Sequence, residues 1–282
     1  MFDLAPLKRK FVMRRKSAVV VLGVVLSLCA LTAPGQAGTA QKVAKLQAQI
    51  AALQTQVATL QIQMTSLLKY ITVDEADTIK GLRPPHLIFH GVNVHVESGS
   101  GVTVDKTGLG NLVVGYDSDS DLTTGVPNAC FDSTAAIDGA RTGSNNLIVG
   151  DCHGFTASGG LATGFNNKVT AIFSTVDGGE NNTASGRSSS VSGGGFNTAS
   201  GELSSVSGGV TNTAFGFVSS VSGGQNNIAS GRGSSVSGGG FNAASGSLSG
   251  VSGGENNTAS GGFSSILGDN GVTVSTADGH FP

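Results

Sequence analysis

The chain has 282 residues, of which only 12% are charged and 5% aromatic, with 44 glycines and no tryptophan, a profile unlike that of an ordinary globular enzyme. Its formal net charge is −2; residues 1–37 hold six basic side chains and one acid, so everything after them carries net −7. That balance excludes nucleic acid as an expected partner.

KRKFVMRRK (residues 8–16) precedes an apolar run from Ala18 to about Ala33 and then Gly35-Gln36-Ala37. The run falls short of the ~20 residues that cross a bilayer, so residues 1–37 are expected to be a secretory signal peptide cleaved near Ala37. The mature chain is then exported, to the cell surface or beyond. Cys130 and Cys152 follow the leader, and an even pair in an exported protein is expected to be bridged.

Residues 41–72 read as a coiled-coil stalk. Val43, Leu46, Ile50, Leu53, Val57, Leu60, Met64, Leu67 and Ile71 alternate steps of three and four, a two-position seam too narrow for a helix packed on its own domain. The seam predicts an oligomer of this chain. Gln47, Gln49, Gln54, Gln56, Gln61 and Gln63 flank it, so no charge code sets the number of strands. Residues 73–107 are expected to form a neck, with two short strands between 85 and 105 after the helix-breaking GLRPP.

From 108 to 268 the chain counts. Val176, Val191, Val206, Val221, Val236, Val251 and Ile266 recur every fifteen residues, and Leu161 and Leu147 continue the register upstream less regularly. A second ladder runs through Ala184, Ala199, Ala214, Ala229, Ala244 and Ala259, and a third through Asn182, Asn197, Asn212, Asn227, Asn242 and Asn257. About eight coils from residue 147 are expected, each with two short strands whose valine and alanine point inward and whose flanking serines point out. The fold class is an all-β solenoid, a parallel β-roll of 15-residue coils, preceded by an α-helical coiled coil. Gly194 and Gly201 are expected to supply positive φ at the turns, and the asparagines to stack. Phe173, Leu203, Val218, Leu248 and Phe263 form an apolar stripe at the second turn, interrupted by Ser188 and Gly233, and this is the candidate subunit interface. Phe196 and Phe241 mark the other turn. Residues 269–282 are left as a cap or tail.

The units NLIVG, TASG and SSVSGG, from about Gly108 to Gly268, resemble the left-handed parallel β-roll heads of trimeric autotransporter adhesins. The resemblance implies a surface-exposed, adhesin-like role and a homotrimer, with a dimer as the other possibility left by the heptads; a host or matrix glycan or protein would be the outside partner. That family's C-terminal membrane anchor is not expected in this chain.

Chemistry-bearing clusters are sparse. His86, His90 and His95 lie close together without an evident further ligand, so no metal and no other cofactor is expected. Asp117, Asp119 and Asp121 open like a calcium loop, but Leu122 and Asn128 depart from its later positions, and a solvated acidic turn is expected. Between Val176 and Leu267 only Asp177, Glu180, Arg187, Glu202, Arg232 and Glu255 are charged. A polysaccharide-acting enzyme would need Asp117, Asp119, His153 and Asp177 to converge, and no catalytic residue is assigned. The remaining alternative is an ice- or glycan-contacting array made of the Ser190/Ser192, Ser205/Ser207, Ser220/Ser222 and Ser235/Ser237 rows.

Overall fold

The computed structural model describes residues 37–75, 78, 82–115, 117 and 141–282. The expected signal peptide, Cys130, Asp119 and Asp121 lie outside the described residues, Ala37 excepted. The chain divides into two units, up to Asn93 and from Val94 on.

The first unit contains one long helix, α1 (Ala37–Leu68), and a hairpin of β1 (Ile71–Asp74) and β2 (His86–Phe89). Ala, Gln and Leu dominate α1, all strong helix formers, and the hydroxyls of Thr55, Thr59 and Thr65 donate to carbonyls four residues back. The helix stops where Tyr70 N–H turns back to Leu67 O at 3.0 Å and the β-branched run Ile71-Thr72-Val73 begins. Ile71 therefore pairs with Phe89 in an antiparallel ladder, and does not continue the heptad seam. The first strand of the neck comes ahead of residue 85, and Val92–Val104 is irregular backbone.

The second unit is a parallel β-solenoid of about nine turns. One sheet has eleven strands, from Leu112–Val114 to His280–Phe281; the other has nine, from Gly154–Phe155 to Thr273–Val274. Successive turns pair in register, Val191 with Val206 and Ala199 with Ala214, and a third ladder of single bridges joins Gly195, Val210 and Gln225. Each ordinary turn is fifteen residues, but the two that start at Leu147 and Leu161 are fourteen: Leu147 pairs with Leu161, and Leu161 with Thr175. This moves the inward register by one, so Ile148 and Ala162 are the buried partners of Val176, and Leu147 is exposed. A one-residue slip sends a side chain to the other face.

All seven fifteen-spaced aliphatics from Val176 to Ile266, and the six alanines from Ala184 to Ala259, are buried and form one continuous core. Each turn also buries polar groups. Ser204, Asn212 and the backbone of Gly216 face inward beside Val206 and Ala214. Gly216 is needed for close approach: a Cβ there would lie 2.1 Å from Gly231 O in the next turn.

Candidate functional surface

The asparagine ladder sets where the turns fall. Asn197 Oδ1 accepts the Asn212 N–H of the next turn at 2.9 Å, and its Nδ2 donates to Gly193 O and Gly209 O, each at 2.9 Å. The stacking is thus side chain to backbone, and it clamps the glycine turn. Gly209 sits there at φ +83°, and a Cβ on it would lie 2.1 Å from Gly224 O. His153 holds the same rung at the start of the solenoid. Its Nδ1 accepts Asn167 N–H at 3.2 Å and its Nε2 reaches Val149 O at 3.1 Å, so the Nε2–H tautomer takes over both roles of an asparagine amide.

At the other turn the positive φ does not fall on Gly201. It falls two residues later, on the stripe itself: Phe173, Leu203, Val218, Leu248 and Phe263 have φ between +57° and +60°, and Ser188 and Gly233 share it. Gly201 is buried, and a Cβ there would lie 2.2 Å from Gly216 O. Large side chains, and β-branched Val218 above all, are disfavoured in the left-handed region by roughly 1–2 kcal/mol each. Nor do they gain burial within the chain, being 43–58% exposed. Positive φ on these residues was not legible beforehand; Gly233 in the same row was the signal that could have suggested it.

Alongside runs a row of charges. Arg187 lies 3.7 Å from Glu202, and the Arg232 guanidinium sits 5.5 Å from the centre of the Phe217 ring. Among the described residues Arg232 has no carboxylate partner. Beside it, Phe217, Val218, Arg232, Gly233, Ser247 and Leu248 line an open depression of about 260 Å³. Phe215 and Ile228 are exposed as well.

The seam residues Val43, Leu46, Ile50, Leu53, Val57, Leu60, Met64 and Leu67 are 45–62% exposed on α1. His90 Nε2 meets Thr72 Oγ1 at 3.1 Å, and His95 lies 3.7 Å from Glu97. No group of three or more metal-ligating side chains occurs among the described residues. Asp117 is a buried structural group there. It accepts His153 N–H at 2.8 Å and lies 3.4 Å from Arg141, while Asp177 is exposed three turns further on. Cys152 is buried and disulfide-bonded. At the start of the solenoid, Ser98, Ser100 and Thr107 donate to the Asp105 carboxylate, and the hydroxyls of Ser100, Ser144 and Ser98, in that order of effect, hold its pKa far below the usual carboxylate range.

No protein-family model matches the chain, and no curated protein matches it. Among the described residues, no helix is long and apolar enough to cross a membrane.

Proposed function

We propose that the protein is an exported, non-enzymatic fibrous protein, assembled from copies of itself and engaged at a surface in an adhesin-like or structural role. The observation that carries this reading is the seam of α1: eight heptad positions 45–62% exposed, covered by no described part of the chain. A 32-residue helix draws most of its stability from packing an apolar face, and a two-position seam fits other heptad helices best. A coiled coil of three chains is favoured by the resemblance to trimeric adhesin heads, with two as the alternative. The parallel solenoid supports the same likeness. Its inward letters are nearly constant while its outward ones vary, which is where a host or matrix glycan or protein would be read.

An ice- or glycan-contacting array has weaker support, because the outward threonine row through Thr183, Thr198 and Thr213 is broken at Ile228 and Ala243. Export is tested by expressing the whole chain and analysing intact cells and medium. A protein starting near Gly38, in the medium or removable from intact cells by protease, is expected. A cytoplasmic protein that retains residues 1–37 would count against the reading.

A further inference from the structure

The stripe has an order that a reversal makes complementary. Along the solenoid it runs Phe173, Ser188, Leu203, Val218, Gly233, Leu248, Phe263, one residue per turn, each turn tied to the last by bonds such as Val218 N–H to Glu202 O and Gly233 N–H to Phe217 O. Reversed about Val218, each large residue inside the ends meets a small one. Leu203 faces Gly233, and Leu248 faces Ser188; Val218 meets itself, and Phe173 meets Phe263. The adjoining row behaves likewise. Reversed about Phe217, Glu202 faces Arg232, and it does so twice.

We propose that the occupant of this stripe is the same stripe of a second copy of the chain, running antiparallel, with a two-fold axis through the turn of Phe217 and Val218. An axis perpendicular to the solenoid and lying in the contact plane keeps each row facing itself while reversing its order, so size and charge match together. The depression of about 260 Å³ above Gly233 receives the Leu203 side chain of the other copy. Arg232, which lies over the Phe217 ring, gains a carboxylate. The parallel alternative is worse on both counts: Gly233 would face Gly233 and Ser188 face Ser188, leaving two gaps in an apolar contact, and Glu202 would not meet Arg232. The positive φ of Leu203, Val218 and Leu248 fits this use, since the cost in the free chain is offset only when those side chains are covered.

Cross-linking of the full-length chain with a short bifunctional thiol reagent tests the arrangement. Val218→Cys is expected to link to itself. Phe173→Cys alone and Phe263→Cys alone are expected to stay unlinked, because the antiparallel pair sets identical ends six turns apart, roughly 29 Å at ~4.8 Å per turn. Their equimolar mixture is expected to link residue 173 to residue 263, read by mass spectrometry of the linked peptides. Absence of a Val218→Cys link, or Phe173→Cys linking to itself, overturns the proposal. In the Val218→Cys background, Glu202→Arg and Arg232→Glu should each slow linking at least tenfold, a change of about 1.4 kcal/mol in contact strength. Mixing the two restores it, because each then supplies the charge the other lacks; unchanged single variants or an unrestored mixture also overturn it. The same links are expected in a chain carrying Leu53→Asp and Leu60→Asp, so a failed stalk and a failed head contact are read separately.

Discussion

Asn212 carries three hydrogen bonds from a fully buried side chain: Oδ1 accepts Asn227 N–H, and Nδ2 donates to Gly208 O and Gly224 O, all at 2.9 Å. Truncating it strands the buried Asn227 N–H, at about 1–3 kcal/mol, and takes a donor from Gly208 O, whereas Gly224 O lies at the surface and keeps Val210 N–H. Asn212→Ala should therefore lose about 2 kcal/mol in urea denaturation. The inward serines divide differently. Ser264 Oγ donates to Gly261 O at 2.7 Å, whereas the buried hydroxyls of Ser204, Ser219 and Ser234 have no partner among the described residues. Ser264→Ala should cost about 1 kcal/mol in the same assay and Ser219→Ala nothing, or a slight gain, because an unsatisfied buried hydroxyl already carries its desolvation cost. His153→Asn should fold with unchanged stability to within about 1 kcal/mol, since an amide can keep both ring bonds, while His153→Leu strands Asn167 N–H and Val149 O and should melt lower. The valine, alanine and asparagine ladders were legible in the sequence because a stacked fold forces each inward letter to repeat. His153 was not, because its role depends on where two ring nitrogens lie and not on resemblance to asparagine.

Among the elements, the segment from Ser98 to Thr107 meets the first turns of the solenoid through Asp105 and Asn145. Ser98 N–H donates to Asn145 Oδ1 at 2.9 Å, Asn145 Nδ2 donates to Thr103 O at 3.0 Å, and Ser158 Oγ donates to Asp105 O. The hydroxyls that hold Asp105 ionised link this contact to pH. Its folded pKa is depressed, so the stability it contributes is present above the usual carboxylate value of about 3.9 and is lost as pH falls below that toward the folded value. Asp105→Asn should therefore melt below the unaltered chain at pH 6, with the gap closing below about pH 4. In the helix, Leu53→Asp with Leu60→Asp places charges on two seam positions, and the proposed stalk assembly should come apart in sedimentation velocity, leaving species no larger than the pair held by the turn stripe, with the solenoid's β spectrum retained. The heptad was legible as spacing, but its end was not: the β-branched run at Ile71 passes the three-and-four count and belongs to a strand. The two fourteen-residue turns were missed for a related reason. Leu147 and Leu161 are as apolar as the true inward residues Ile148 and Ala162, so hydrophobicity alone could not place the register.

At the scale of the whole molecule, the repeated letters and the varied ones do separate jobs. Valine, alanine, asparagine and glycine build the turns, and in-register stacking makes each turn depend on its neighbours. The outward letters are free of that constraint, and the row from Phe173 to Phe263 carries its large apolar groups at an unfavourable backbone angle and in the open, as Phe196 and Phe241 do at the other turn. Two apolar surfaces, the α1 seam and the turn stripe, are thus exposed, and in both cases the proposed partner is another copy of the chain. The seam was legible because periodic leucines need no structure to be counted. The stripe was legible as a row of residues, whereas its glycine depression and its facing charges required the turns to be stacked first. The most direct measurement of the central claim is the solution mass of the chain from Gly38 onward by light scattering. A mass of three chains is predicted, or of two, with larger species as concentration rises; a mass of one chain at every concentration would contradict the account.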